Sequence, residues 1–203
     1  MYNVDMAKLF FRYGAMGCGK TMQLLQVAYN YEERGHKVCV MKPATDTRNG
    51  TKLITRIGPE RETDICFDKK INLYSVIEKK YRDVSCILVD EAQFLTAKQV
   101  DELMKVVVKL NIPVICYGLR LNFRLSDGGF EGATRLLQQA HRIEEIKTIC
   151  DCGRKALYNC RFINGKLQTE GPDILIDDLS GKMDVEYKAI CASCYYKYLE
   201  GEK

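Results

Sequence analysis

Gly14-Ala15-Met16-Gly17-Cys18-Gly19-Lys20-Thr21 fits the spacing G-x-x-x-x-G-K-[ST], with a strand-like run from Lys8 to Tyr13 before it and a helix-like run from Lys20 to Arg34 after it. Successive backbone N–H groups converge on an anion only where the chain curls without Cβ obstruction, which Gly14, Gly17 and Gly19 permit. A helix starting near Lys20 adds unpaired N–H groups and the positive end of its dipole. In such a cradle the Lys20 ammonium reaches the β- and γ-phosphates of a nucleotide, and Thr21 is placed to ligate Mg²⁺.

Outward from this loop, strand-like and helix-like segments alternate. Leu24, Val27, Ala28 and Tyr31 recur at helical spacing until Gly35, and Lys37 to Lys42 reads as a second buried strand. Pro43 to Gly58, rich in Thr, Arg, Asn and Gly without a clear period, reads as a loop. Ile71 to Arg82 has a helical pattern, and Val84 to Val89 is continuously apolar. Thr96 with Gln99 forms a capping box for a helix ending near Asn111. Pro113 to Tyr117, Glu131 to Ala140 and Arg142 to Thr148 continue as strand, helix and strand. Such alternation predicts a parallel sheet covered on both faces. From Ile149 the helical period gives way to paired cysteines, Gly and short strand-like pieces, which puts a domain boundary near residue 148.

At the carboxyl end of the apolar run Cys86-Ile87-Leu88-Val89 stands Asp90-Glu91-Ala92-Gln93-Phe94. A carboxylate there, beside a phosphate loop, lies where Mg²⁺ needs an outer ligand, so Asp90 is the partner expected for Thr21. Glu91, next to it, suits a base that takes a proton from an attacking hydroxyl or water. The bland alternative is an acidic pair that serves only a helix dipole.

The chain has 203 residues, 46% of them hydrophobic and 29% charged, with a net charge of +4 and basic residues dispersed along its length. That composition suits one α/β domain with a small appendage, and it gives no sign of a nucleic-acid tail or a membrane span. Met1 to Met6 has neither a basic start nor an apolar run, so a cytoplasmic location is expected. Among ten cysteines, Cys150-Asp151-Cys152 and Cys191-Ala192-Ser193-Cys194 form two close pairs suited to tetrahedral Zn²⁺. Buried thiols and a redox pair are the alternatives. Four protein ligands would leave no open position, which makes such a site structural. Cys18, Cys39, Cys66, Cys86, Cys116 and Cys160 read as small buried hydrophobes, and His36 and His141 as surface or boundary residues.

Taken together, the phosphate loop, Lys42-Pro43 with Asp46-Thr47-Arg48, Asp90-Glu91-Ala92-Gln93-Phe94, Tyr117-Gly118-Leu119-Arg120 with Asn122-Phe123-Arg124, and the cysteine-rich end make the chain similar, over nearly its whole length, to the thymidine kinases of the cytosolic and bacterial type. The resemblance implies a P-loop α/β kinase domain over residues 1–148 and a zinc-bearing lasso domain over 149–203. It also implies ATP with Mg²⁺ as cofactors, a structural Zn²⁺ on Cys150, Cys152, Cys191 and Cys194, and transfer of phosphate to the 5′-hydroxyl of thymidine and deoxyuridine. By that resemblance Glu91 is the base, Arg48 neutralises charge on the transferring phosphoryl, and Asp46 helps hold the Mg²⁺ environment. Phe94, Leu119 and Phe123, with Gln93, line the nucleoside site, and Tyr187 belongs to the lasso that closes over it. A homotetramer and feedback inhibition by thymidine triphosphate are further implications.

The chain departs from the family pattern in two places. Ala15, Gly17 and Cys18 stand where members usually carry Pro, Phe and Ser, and Asp177-Asp178 replaces a glycine pair in the lasso. A reading from another class is a nucleic-acid-stimulated ATPase in which Glu91 activates water and a zinc ribbon grips DNA. The short chain and its dispersed charge weigh against that reading. An inactive nucleotide-binding module is a third reading, and the intact Lys20, Asp90 and Glu91 weigh against it.

Overall fold

The computed structural model describes residues 6–45, 50–55, 58–124, 129–171 and 184–201. Strand β1 (Leu9–Tyr13) leads through the phosphate loop into helix α1 (Lys20–Glu32) and then β2 (Val38–Pro43). Three short strands follow, β3 (Lys52–Ile54), β4 (Glu60–Glu62) and β5 (Ile65–Phe67), before α2 (Leu73–Lys80) and β6 (Cys86–Val89). A single 3₁₀ turn (Ala92–Phe94) precedes α3 (Ala97–Leu110), β7 (Val114–Gly118), α4 (Glu131–Gln139) and β8 (Arg142–Glu145). The chain ends with β9 (Tyr158–Ile163), β10 (Lys166–Gln168), β11 (Val185–Ile190) and α5 (Ala192–Leu199).

Six strands make one sheet in the order β5-β2-β6-β7-β1-β8, and every neighbouring pair is parallel. β2, β6 and β7 are buried along their whole length, as strands covered on both faces must be. Their alternate side chains serve two cores. Leu24, Leu25 and Ala28 of α1 pack on Val38, Val40, Cys86, Leu88 and Ile115. On the other face, residues of α2, α3 and α4, among them Leu73, Ile77, Val100, Leu103 and Leu136, pack on Phe11, Met41, Ile87, Val89 and Cys116. The expected parallel α/β architecture is therefore present.

α3 carries the predicted capping box in full: Thr96 Oγ1 accepts from the Gln99 N–H at 3.2 Å, and Gln99 Oε1 accepts from the Thr96 N–H at 3.0 Å. It stops at Asn111, whose φ of 54° lies in the left-handed region.

Two expectations need correction. The stretch read as a loop up to Gly58 contains β3, which pairs with β4 in an antiparallel hairpin, while β5 adds an edge strand to the main sheet. These strands have three residues each, too short to show a period, and β4 consists wholly of charged residues. The end of the chain is likewise more regular than its composition suggests, since α5 follows Cys191. β9, β10 and β11 form an antiparallel sheet in the order β10-β9-β11, with a core of Cys150, Ala156, Cys160, Phe162, Ile190, Cys191 and Tyr195. Among the described residues no helix is long and apolar enough to cross a membrane.

Candidate active site

The phosphate loop lies at the carboxyl end of β1, where a parallel sheet leaves room for a ligand. The Gly14 N–H donates to the Gly118 carbonyl on neighbouring β7 at 3.2 Å. A Cβ on Gly14 would lie 2.4 Å from the Ile146 carbonyl oxygen and 2.5 Å from Cys18 Sγ, so no side chain fits there. Gly19, with φ 84°, caps α1 without any side-chain hydrogen bond to the helix's first N–H groups. An uncapped helix start facing the loop is a ready anion site. Lys20 is buried, and its Nζ donates to the Gly14 carbonyl at 3.2 Å and the Ala15 carbonyl at 2.9 Å. Cys18 Sγ lies 3.7 Å from that Nζ. Cys18 is therefore a half-exposed part of the loop and Cys66 is exposed, so the reading of both as buried hydrophobes does not hold. Cys39, Cys86, Cys116 and Cys160 are buried as expected.

Asp90 closes β6 beside the loop. Its Oδ2 accepts from Thr21 Oγ1 at 2.9 Å, joining two residues 69 positions apart. Its Oδ1 is buried and has no hydrogen-bond partner among the described residues. Burial first, and the adjacent Glu91 charge second, push the Asp90 carboxyl up to about 7, against the Thr21 hydrogen bond and the Lys20 charge. A buried carboxylate oxygen without a donor, paired with a threonine hydroxyl at a phosphate loop, is a donor set that fits a hard cation such as Mg²⁺.

Glu91 itself is in the left-handed region, with φ 48° and ψ 41°, a conformation costing a non-glycine residue roughly 1–3 kcal/mol. It is held there by the turn that follows. Gln93 Nε2 donates to Glu91 Oε2 at 2.5 Å, and Gln93 Oε1 accepts from the Leu119 N–H at 3.0 Å. Gln93 is buried, and Gly118 lets it approach: a Cβ at 118 would lie 2.8 Å from Gln93 Oε1. Both ends of the Gln93 amide are thus used inside the protein, orienting Glu91 and the start of the loop after β7.

Phe94 meets Phe130 edge-on, with ring centroids 5.6 Å apart. Phe123 is buried, and the Arg161 guanidinium of β9 sits 4.0 Å above its ring. Tyr187 is the cross-strand partner of Arg161, so the two share one face of the small sheet. Gly14 to Thr21, Asp90, Glu91, Gln93, Phe94 and Leu119 therefore gather at the carboxyl ends of β1, β6 and β7, with Phe123 in the loop beyond. Asp46, Arg48, Asp177 and Asp178 lie outside the described residues. Two further side chains reach the site's loops without any motif to announce them: Asn159, whose Oδ1 accepts from the Met16 N–H at 2.7 Å, and Arg161. Their only signal is a polar residue at every second position of an otherwise apolar strand.

The four cysteines of the two close pairs come together, with all sulfurs within 4.8 Å of one another. Cys152 and Cys191 are 3.6 Å apart at sulfur. A tetrahedral zinc with Zn–S bonds of about 2.3 Å has sulfur–sulfur edges of about 3.8 Å, so the cluster fits that ion. The Cys194 N–H donates to Cys191 Sγ and draws that thiol down, whereas the crowding of Cys152 and Cys191 pushes Cys194 up. Four sulfurs this close cannot all shed their protons without a cation between them.

A family model described as thymidine kinase matches residues 7–195. The chain belongs to the thymidine kinase family. Among curated relatives, it is 45% identical over 190 residues to a thymidine kinase of Francisella tularensis subsp. holarctica, covering 92% of this chain and 95% of that protein. It is 44% identical to a thymidine kinase of Chromobacterium violaceum, covering 94% and 99% of the two chains. A thymidine kinase of Lactiplantibacillus plantarum is 41% identical, with 94% and 96% covered. The family match runs through both sheets and takes in the phosphate loop and both cysteine pairs.

Proposed function

We propose that the chain transfers the γ-phosphoryl group of ATP to the 5′-hydroxyl of thymidine, and also of deoxyuridine, giving the 5′-monophosphate and ADP. The observation that carries this reading is the junction of Thr21, Asp90 and Glu91: a cation-ready carboxylate hydrogen-bonded to the phosphate loop, followed directly by a second carboxylate that its own turn holds in place.

In this reading the loop N–H groups and the start of α1 hold the phosphates, and Lys20 exchanges the Gly14 and Ala15 carbonyls for β- and γ-phosphate oxygens. Thr21 and Asp90 hold Mg²⁺, which when bound neutralises charge on the phosphates, and Asp46 supports that environment. Glu91 accepts the proton of the nucleoside 5′-hydroxyl as that oxygen bonds to the γ-phosphorus and the bond to the bridging oxygen of ADP breaks. Arg48 balances charge on the transferring group. Phe94, Leu119, Phe123 and Tyr187 enclose the base and sugar, and Gln93 belongs to the same wall while orienting Glu91. Residues 1–148 act as the kinase domain and 149–203 as a lasso domain organised by Zn²⁺ on Cys150, Cys152, Cys191 and Cys194. A cytoplasmic homotetramer inhibited by thymidine triphosphate completes the proposal, on the family likeness alone.

The test is transfer of label from γ-labelled ATP to thymidine, deoxyuridine, deoxycytidine and uridine, with single-stranded DNA as a parallel additive. Labelled thymidine monophosphate is the expected product. Phosphate released to water and stimulated by DNA, with no labelled nucleotide, would overturn the proposal.

A further inference from the structure

β9 has two unlike faces. Cys160 and Phe162 point into the small core, and Tyr158 stacks on Tyr195 with centroids 4.6 Å apart. Asn159 and Arg161 alternate with them and so lie on the opposite face. On a lone three-stranded sheet such residues would face water. Here they are 5% and 1% exposed and turned toward the loops of the large sheet.

Asn159 joins two of those loops. Its Oδ1 accepts from the Met16 N–H at 2.7 Å, and its Nδ2 donates to the Leu121 carbonyl at 3.0 Å, linking residues 143 and 38 positions away. A carboxamide is suited to both bonds, because a carboxylate has no donor and a leucine has neither group. Met16 belongs to the phosphate loop, and Leu121 lies between Leu119 and Phe123. From the next inward position Arg161 covers Phe123 and donates to the Glu170 carbonyl at 2.6 Å. A buried amide is costly unless its bonds are made, and here both are made, which fixes one spacing between the two loops.

We infer that Asn159 is a positioning residue that sets the phosphate loop against the loop after β7, so that the two substrate sites bind and react as one unit. The inference rests on the reading of those loops as the ATP and nucleoside sites. Its leverage is geometric: a misplacement of about 1 Å between reacting groups can cost on the order of 10²-fold in rate. Coupling of this kind is reciprocal, so each substrate must alter the other's affinity by the same factor.

The experiment uses the full chain with its metal. The dissociation constants of thymidine and of a non-hydrolysable ATP analogue with Mg²⁺ are measured singly and together, and kcat is measured alongside. In Asn159→Ala, kcat is expected to fall about 10- to 100-fold while each substrate alone binds within about fivefold of the wild type. The coupling factor should collapse toward one. Asn159→Asp, of the same size, keeps the acceptor for Met16 but loses the donor to Leu121, and should lose the coupling even where the alanine variant folds poorly. Leu167→Ala loosens the small core from the outer face of the sheet without touching either bond, and should leave the coupling factor in place. Unchanged kcat and coupling in both Asn159 variants, equal loss of coupling in Leu167→Ala, or a wild-type factor of one would each overturn the inference. A wild-type chain that binds neither ATP nor thymidine would be a different failure, that of the proposed function itself.

Discussion

The six-stranded sheet and the three-stranded sheet are held by different means. The large sheet buries apolar side chains on both faces, in two cores of 22 and 10 buried residues among the described ones. The small sheet has a core of seven among the described residues, two of them cysteines of the metal-ready cluster, and its other face carries Asn159 and Arg161. Seven residues are too few to hold such a unit by burial alone. The large sheet is thus held by its own packing, whereas the small one combines a cysteine cluster that could hold a cation at one end with bonds to the large sheet at the other. The first arrangement builds a rigid platform for the phosphate loop. The second gathers a set of cation ligands and inter-sheet bonds around a small core.

The largest effect expected from this contrast is that of removing the metal. Bound zinc can contribute on the order of 10 kcal/mol to a small unit of this kind. Cys191→Ser, or chelation of the wild type, should therefore abolish hydrogen-exchange protection in β9, β10 and β11 and leave β1, β2, β6 and β7 protected. Nucleoside binding should be lost, while ATP binding persists but weakens as the Asn159 bond to Met16 goes. Uniform loss of protection across both sheets would show that they form a single cooperative unit. Next in size is Glu91→Gln, a change at the rigid end: turnover should fall by about 10²- to 10⁴-fold with ATP and thymidine affinities kept. A fully active variant would remove Glu91 from the role of base.

Gly132→Ala tests how tightly the large sheet's helices press on the site. Alanine favours a helix over glycine by about 1 kcal/mol. Its Cβ, however, would lie 2.5 Å from the Leu95 carbonyl oxygen, 2.8 Å from that of Ala92 and 3.1 Å from that of Gln93. Backbone contacts of this kind outweigh the propensity gain, so a net loss of about 1–3 kcal/mol is expected, together with lower turnover because the displaced turn carries Gln93. A more stable and fully active variant would mean that α4 has room to move. Asp90→Asn should act in the opposite direction on stability. A carboxyl raised on folding binds its proton more tightly in the folded state, so the Mg²⁺-free wild type loses stability as pH climbs from about 4 to about 7. Asn keeps an acceptor for Thr21 and carries no charge, so thermal melts of the metal-free variant should not show that decline, although its transfer activity is lost.

The same contrast explains what could be read in advance. In the large sheet, local signals and tertiary structure agree: the glycine spacing of the phosphate loop, the apolar run ending at Asp90, and the Thr96–Gln99 box are each specified within a few residues. The paired cysteines were legible for the same reason, since ligand spacing is local. Asn159 and Arg161 were not, because alternate polar residues on a strand look the same whether the face meets water or another sheet, and only the fold brings Met16 within reach of residue 159. The left-handed Glu91 was equally hidden, since nothing local distinguishes a strained glutamate from an ordinary helix-leading one. β3 and β4 escaped notice because three residues cannot show a period.

The smallest expected effect makes the sharpest use of the comparison, because each sheet has a helix capped in the same way. α3 begins at Thr96, whose Oγ1 accepts from the N–H three residues on at 3.2 Å. α5 begins at Cys191, whose Sγ accepts from the N–H three residues on at 3.5 Å. Both side chains take up the same N–H of their helix, the thiol more weakly than the hydroxyl, and removing such a cap costs about 1 kcal/mol at most. Thr96→Ala should do only that, lowering the melting temperature by about 2–4 °C for a chain of this size, with turnover within about twofold of the wild type. Cys191→Ser keeps a side chain able to cap and yet should dissolve the small sheet, because what it removes is a ligand. If the two variants instead lowered stability equally, the cysteine cluster would be no more than a helix start, and the small sheet would stand by its seven-residue core and its bonds to the large one.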